Sequence, residues 1–345
     1  MLHVLEERDK MDIASMTPVE IASVIQDKPY RGKQIFSWLH DKQVTSFREM
    51  TNLSKPLRGK LELSFKIGTD VQNLQSIQSA DQTTKYLFKM ENNTIIESVY
   101  MNYHFGSSVC VSTQAGCKMG CIFCASGTNG LERNLLPSEI CGQIYAIQRE
   151  KPRISNVVLM GCGEPLDNYD NVVRFIKLIS HEDGQHLSRR SLTVSTCGLT
   201  PQIIKLADEM LAVTLAVSLH APNDSIREYL IPAARAYPMS ELLQACRYYT
   251  NKTKRQVTFE YTMIKDVNDR KPHADELARR LKGILSHVNL IRLNEAECTS
   301  LRSSSDRNIR HFADILNNYG INTTIRRALG SDINAACGQL RNRLK

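Results

Sequence analysis

The segment GCKMGCIFC, residues 116–124, contains three cysteines at a spacing suited to metal binding. Cys117, Cys121 and Cys124 follow the pattern C-x3-C-x2-C. Structural zinc takes four protein ligands, and no matching second C-x2-C or H-x3-H pair follows, so the pattern disfavours zinc. A redox pair needs no third cysteine. The remaining interpretation is that the three thiolates bind an iron–sulfur cluster. Three thiolates on a four-iron cluster leave one iron open, which is typical of a catalytic metal site.

The elements that must position this segment are short β-rich runs alternating with helix-like stretches. The runs cover residues 109–112, 156–160, 191–195, 213–218, 257–262, 287–292 and 321–326. Strands separated by helices indicate parallel βαβ units. Six to seven such units predict an α/β fold, a partial (β/α)6-type barrel, with a doubly wound open sheet as the alternative.

Polar and glycine-rich segments follow the predicted strands directly. These segments are residues 116–124, 161–166, 195–198 and 218–224, and Asn294 stands at the end of the sixth run. The carboxyl ends of the strands are where barrel enzymes build their active sites. A purely structural protein gives no reason for such a concentration on one rim.

The residues before the barrel read as helices followed by a hairpin. Residues 17–20, TPVE, form a helix start with a capping box, and residues 31–40 form an amphipathic helix with Trp38 in the core. Runs 83–89 and 93–101 alternate like two strands, with a turn at 91–93. We predict an N-terminal helical accessory domain over residues 1–90, with the hairpin as linker. The barrel domain then covers residues 95–345.

Composition favours an intracellular protein with a polyanionic partner. The 345 residues carry a formal net charge of +8, which suits nucleic acid although a solvated basic surface is an equal alternative. No run of about 18 apolar residues and no signal-peptide pattern is present, so we expect a cytoplasmic protein without membrane attachment. Ten cysteines in such a protein are not expected to form structural disulfides. Cys141, Cys246 and Cys298 have no motif around them and are predicted to be core residues.

The cysteine loop resembles that of the radical S-adenosylmethionine superfamily. Gly163-Glu164-Pro165 is similar to the superfamily's GGE-type segment, although Cys162 stands where glycine or methionine is commoner. The resemblance implies a 4Fe-4S cluster on the three cysteines. It also implies that the open iron binds S-adenosylmethionine, which reduction cleaves to a 5′-deoxyadenosyl radical.

Four longer segments resemble the RlmN/Cfr family of radical S-adenosylmethionine RNA methyltransferases. They are residues 109–117, 160–168, 218–224 and 332–340, and the similarity extends over nearly the whole chain. The resemblance implies that Cys337 is methylated first and that a second S-adenosylmethionine supplies the radical that takes a hydrogen from this methyl group. The carbon radical then adds to adenine, Glu97 accepts a proton, and Cys110 attacks the sulfur. A transient Cys110–Cys337 disulfide results, at two S-adenosylmethionine molecules per turnover.

The same resemblance assigns residues that contact S-adenosylmethionine. They are Gly163, Glu164, Ser195, Ser218, Leu219, His220 and Asn294. Singly, each has an ordinary explanation, since a serine at a strand end is usually a partner of the backbone and Glu97 on an alternating strand is usually solvated. Because these residues are expected together on one rim of the barrel, as a set they favour a binding site.

The expected substrate is RNA. RlmN-type members act on carbon 2 of adenosine 2503 in 23S rRNA and on adenosine 37 of some tRNAs. Cfr-type methylation at carbon 8 is the alternative, because Arg292 stands where RlmN-type members more often have proline and is similar to Cfr-type members. Basic residues at 31–33, 251–255 and 341–345 suit phosphate contacts, and we expect the helical domain over residues 1–90 to bind RNA. We further expect an electron donor such as flavodoxin or ferredoxin, and a monomer. A non-catalytic iron–sulfur regulator or a glycyl-radical activase would not need Cys337.

Overall fold

The computed structural model describes residues 10–90, 93–104, 106–294 and 300–340. Its strands are β1 Met11–Asp12, β2 Phe65–Lys66, β3 Gln72–Gln78, β4 Thr84–Lys89, β5 Ile95–Tyr103, β6 Gly106–Cys110, β7 Gln114–Gly116, β8 Leu131–Asn134, β9 Asn156–Leu159, β10 Leu192–Thr196, β11 Thr214–Ser218, β12 Val257–Met263, β13 Ser286–Arg292 and β14 Asn322–Ile325. Its helices are α1 Pro18–Ile25, α2 Pro29–His40, α3 Lys55–Ser64, α4 Pro137–Gln148, α5 Tyr169–Ile179, α6 Thr200–Asp208, α7 Asp224–Leu230, α8 Met239–Thr253, α9 Lys271–Leu281 and α10 Asp306–Asn318.

Ten strands form one sheet in the order β14-β13-β12-β11-β10-β9-β6-β5-β4-β3. Neighbouring strands from β14 to β6 in this order are parallel, and neighbouring strands from β6 to β3 are antiparallel. The parallel strands are apolar on both faces, as in β11, where Leu215, Ala216 and Val217 are all buried. The predicted partial barrel is therefore confirmed, and every predicted run overlaps a strand.

The predicted hairpin is present as β4 and β5, and it extends the main sheet directly. The polar strand β3, which is exposed along its whole length, adds an edge that the sequence did not predict. Residues 91 and 92 of the predicted turn lie outside the described residues. The boundary predicted between the two domains falls within this continuous sheet, and the division into domains stays a prediction.

The N-terminal helices pack against the helices of the barrel. The capping box at Thr17 is confirmed, with Glu20 accepting a hydrogen bond from the Thr17 backbone at 2.7 Å. Glu20 also pairs with Arg174 of α5 at 2.7 Å. In α2, Trp38 packs against the core as predicted, but its indole is only half-buried and lies under Lys42. Phe36 is the fully buried aromatic residue of this helix.

Two of the three cysteines predicted to be core residues can be checked. Cys141 and Cys246 are fully buried, as predicted, whereas Cys298 lies outside the described residues. None of the helices in the described part of the chain is long and apolar enough to cross a membrane.

Candidate active site at the carboxyl ends of the strands

A cavity of about 150 Å³ opens at the carboxyl ends of the parallel strands, and we call it the main cavity. The predicted site residues in its wall are Cys117, Cys121, Cys124, Gly163, Glu164, Ser195, Ser218, His220, Asn294 and Cys337. These residues come from segments more than 200 positions apart in sequence. These predicted rim residues therefore line one cavity in the fold.

Backbone hydrogen bonds hold the cysteine loop in place. Strands β7 and β8 pair antiparallel on either side of it, and the Cys117 N–H donates to the Gly130 carbonyl at 2.9 Å. The Ile122 N–H donates to the Leu230 carbonyl at 3.1 Å. The three thiols therefore line the main cavity from a loop that is fixed at both ends and in its middle.

The thiols of the loop present three sulfur ligands to one cavity. Cys117, Cys121 and Cys124 all line the wall of the main cavity, and burial raises the pKa of Cys117 to about 12. Binding a metal group there replaces the thiol protons, since thiolates are the ligands. The residues present thus fit an iron–sulfur cluster.

Glu164 is buried at the base of the main cavity. Its Oε2 accepts from the Cys197 N–H at 2.7 Å, and its Oε1 accepts from the Leu166 N–H at 3.0 Å. Burial raises the pKa of this carboxyl, and the two N–H groups act in the opposite direction. A carboxylate accepts more than one hydrogen bond per oxygen, so Glu164 can also receive the ammonium group of a ligand.

Gly163 is required by the backbone at this position. Its φ is +106°, and a Cβ there would lie 2.5 Å from Cβ of Gln114. Gln114 in turn accepts from the Glu164 N–H at 2.8 Å, so a larger residue at 163 would displace the neighbour of the cavity carboxylate.

We expect Gly163→Ala to lower the free energy of unfolding by about 1–3 kcal/mol because of the strained φ and the close contact. It should also weaken S-adenosylmethionine binding roughly tenfold or more through loss of the aligned Glu164 carboxylate. Urea unfolding and equilibrium dialysis measure the two effects. The control is Gly59→Ala in α3, where the new Cβ meets nothing within 4 Å and should be neutral or stabilising. Equal behaviour of the two variants would contradict this interpretation.

His220 presents a neutral ring to the main cavity. Its Nδ1 accepts from the Thr262 N–H at 3.0 Å, so the ring proton sits on Nε2. Burial lowers the pKa of His220 to about 3, and the neighbouring Arg227 acts in the same direction. The preceding Leu219 differs from its predicted neighbours, because its side chain is fully buried in the core and is not in the cavity wall.

Cys110 and Cys337 line a second, smaller cavity of about 50 Å³, which we call the thiol cavity. Cys110 is buried and Cys337 is exposed, and both are free thiols. Asn294 donates to the Cys337 carbonyl at 3.1 Å. The two cavities share Cys337 in their walls, together with Arg326. The structure thus places Cys337 between the loop cysteines and Cys110.

Glu97 lies in neither of these cavities. It lines a third cavity of about 280 Å³ together with Cys162, and we call this the Glu97 cavity. The carboxylate is buried and pairs with Lys85 at 2.7 Å. An isolated glutamate on an alternating strand is usually exposed to solvent. Glu97 is not, because other residues cover it.

The sequence did not indicate three charged residues near the site, of which Glu260 and Arg227 are buried and Arg326 is partly exposed. Glu260 and Arg326 line the main cavity and approach each other at 3.8 Å, and Cys337 and Glu260 raise the pKa of Arg326. Arg227 is buried behind the cavity and donates to the Tyr237 carbonyl at 3.0 Å. The signal was available for Glu260, since a carboxylate inside an apolar strand, VTFEYTM, needs a reason.

Comparison with known proteins assigns the family. Residues 111–278 match the Radical SAM superfamily, and residues 12–67 match the Ribosomal RNA large subunit methyltransferase N-terminal domain. The probable dual-specificity RNA methyltransferase RlmN of Lachnoclostridium phytofermentans is 49% identical over 96% of this chain and 95% of its own length. Its counterpart from Clostridium novyi is 50% identical over 91% of this chain and 92% of its own.

A solved structure agrees with these relatives. The crystal structure of a radical SAM methyltransferase from Sphaerobacter thermophilus is 41% identical, with a TM-score of 0.91. The match covers 96% of this chain and 99% of that one. Identity at this level over almost the full length, together with the cysteine loop in the wall of the main cavity, shows that the chain belongs to the RlmN family of radical SAM methyltransferases.

Proposed function

We propose that this protein methylates carbon 2 of adenosine 2503 in 23S rRNA, and adenosine 37 in some tRNAs, through a methyl group carried on Cys337. The observation that carries the proposal is the position of Cys337, which lines both the main cavity and the thiol cavity. One thiol is thereby open to a methyl donor on one side and to Cys110 on the other. The relatives' names, dual-specificity RNA methyltransferases, support the choice of RNA, and the choice of carbon 2 rests on the resemblance of the sequence motifs to RlmN-type members.

The family's cofactors are a 4Fe-4S cluster and S-adenosylmethionine. Cys117, Cys121 and Cys124 would hold the cluster, which when bound supplies the electron that generates the hydrogen-abstracting radical. The residues proposed for S-adenosylmethionine are Gly163, Glu164, Ser195, Ser218, Leu219, His220 and Asn294. Leu219 would contribute through its backbone, since its side chain lies in the core.

The protein's own side chains address a specific chemical difficulty. Carbon 2 of adenine is not nucleophilic, so direct methyl transfer to it fails. In our proposal Cys337 takes the methyl group first, because a thiolate is a good nucleophile. Glu97 later accepts the ring proton, and the Cys110 thiolate forms an S–S bond with Cys337 as the bond from sulfur to the transferred carbon breaks. That carbon takes up a proton to become the methyl group, and the one electron left over from the radical would return to the cluster that the loop cysteines would hold. Such cytosolic disulfides are transient and catalytic.

RNA binding is proposed to use two of the three basic segments predicted from the sequence. Residues 31–33 lie in α2 and residues 251–255 at the end of α8, whereas residues 341–345 lie outside the described residues. Lys33 and Lys252 also pair with Asp183 and Asp208, which reduces their share of the phosphate attraction. We also propose a monomer that receives electrons from a flavodoxin or ferredoxin.

Nucleoside analysis tests the proposed reaction. The reconstituted enzyme, S-adenosylmethionine and a reductant are incubated without oxygen with a 23S rRNA fragment or an unmodified tRNA, and the digested RNA is analysed by mass spectrometry. We expect 2-methyladenosine. A product of 8-methyladenosine would support the Cfr-type alternative, for which Arg292 in the walls of both cavities is the relevant departure. Absence of both products would refute RNA adenine methylation.

A further inference from the structure

Lys85 and Glu97 form a buried ion pair beneath the C-terminal segment, residues 330–340. Lys85 Nζ lies 2.7 Å from Glu97 Oε1, and the side chains are only 9% and 5% exposed. Removing two charges from water is costly, and a buried pair is weak grounds for assuming a stabilising role. The pair therefore calls for a functional explanation.

Lys85 also contacts the segment that carries Cys337. Its Nζ donates to the Asn334 carbonyl at 3.2 Å, three residues before Cys337. Two further hydrogen bonds attach the same end of the segment to the turn between β3 and β4, residues 79–83. The Gly330 N–H donates to Asp81 at 3.0 Å, and Ser79 donates to Asp332 at 2.6 Å.

Strand register places these groups on one face of the sheet. Lys85 of β4 pairs with Val99 of β5, and Val99 pairs with Cys110 of β6. Directly paired residues point to the same face, and Glu97 lies two positions before Val99, so it shares that face as well. The C-terminal segment covers the face, with Ala335 packed against Val99 and Cys110.

We propose that Lys85 is a positioning residue that holds the Glu97 carboxylate ionised and in place below the methyl-carrying segment. The inference rests on the proposed role of Glu97 as proton acceptor. In that step a C–H bond of the adenine ring breaks, its electron pair stays with the ring, and an O–H bond forms on Glu97. An ammonium at 2.7 Å favours the carboxylate form that can accept this proton.

The other ionisable groups that line the Glu97 cavity do not stabilise the carboxylate form of Glu97. Glu132 of β8 and Cys162, which follows β9, also line it. Glu132 is a second acid, and a thiol gives no positive charge. Lys85 is a cation in direct contact with the Glu97 carboxylate, so its removal should make Glu97 harder to ionise.

The test compares Lys85→Met and Lys85→Gln with Lys85→Arg, which keeps the charge. Methylation of Cys337 is followed by mass spectrometry of the protein, and RNA methylation is followed as a function of pH. We expect both uncharged variants to retain Cys337 methylation, while the acidic limb of the RNA methylation profile moves up by about 1–3 pH units. Lys85→Arg should restore most of the shift. Arg174→Met removes another 2.7 Å ion pair, whose residues line none of the three cavities, and should keep the original profile.

The outcomes separate this inference from the proposed function. If Glu97→Gln methylates RNA at the unaltered rate, Glu97 is not the proton acceptor and the proposed role fails. If Glu97→Gln is inactive but the uncharged Lys85 variants keep the original pH profile, only the inference about Lys85 is overturned. Failure of both uncharged variants to fold would show that Lys85 is structural and would also overturn it.

Discussion

Replacement of Cys337 by Ala should lower RNA methylation by about a thousandfold or more, because no other thiol lines both the main cavity and the thiol cavity among the described residues. Iron content and reductive cleavage of S-adenosylmethionine should persist, since Cys337 lies outside the cysteine loop. The measurements are methylated nucleoside formed, iron bound and 5′-deoxyadenosine released. The loss should therefore affect the RNA product while the cleavage activity remains.

The control for Cys337→Ala is Cys246→Ala. Cys246 is buried on α8 and lines neither cavity, so its replacement should leave RNA methylation close to the original rate. RNA methylation by Cys337→Ala at the rate of this control would rule out the methyl-carrying cysteine.

Replacement of Cys110 by Ala should stop turnover at a later point and leave the protein covalently attached to its RNA. Without the second thiol, nothing attacks the Cys337 sulfur, so the bond between sulfur and the methylated base persists. Denaturing gel electrophoresis should show a band of protein joined to RNA that nuclease digestion reduces to protein plus one nucleotide. Release of free methylated RNA at the usual rate would contradict this role for Cys110.

The unsubstituted protein should show a related pH dependence. Burial raises the pKa of Cys110 to about 12, and Arg326 acts in the opposite direction. Since the thiolate is the attacking form, decay of the covalent intermediate should accelerate as pH rises through the neutral range. A decay rate that is independent of pH would indicate that attack by Cys110 does not limit this step.

The barrel and its rim could be predicted because each strand, and the polar segment that follows it, is recognisable from its own local sequence. Each parallel strand is a short apolar run, as in residues 214–218, and the polar segment that follows each run reaches the same edge in any parallel arrangement. The capping box at Thr17 is equally local. By contrast, the strand β3 has the polar sequence QNLQSIQ and is exposed, so it is recognisable only by its pairing with β4.

The parts of the site that the sequence did not reveal depend on distant contacts. From the hairpin sequence alone, Lys85 and Glu97 would be expected on its solvated side. In the fold they are buried, because the C-terminal segment, more than 200 residues later in the sequence, covers them. Leu219 follows a rim serine, yet its side chain points into the core. Neither local propensity nor periodicity carries information about a covering segment, so such residues appear only in the folded chain.

The most direct test of the proposed methyl route uses S-adenosylmethionine with a fully deuterated methyl group. The reaction is run long enough to replace any methyl group already present on Cys337, and both products are weighed by mass spectrometry. If the methyl group loses one hydrogen to the radical while on Cys337, the methylated adenosine keeps two of the three deuterium atoms and 5′-deoxyadenosine gains one. A methylated adenosine that keeps all three, with unlabelled 5′-deoxyadenosine, would show direct methyl transfer and contradict the account.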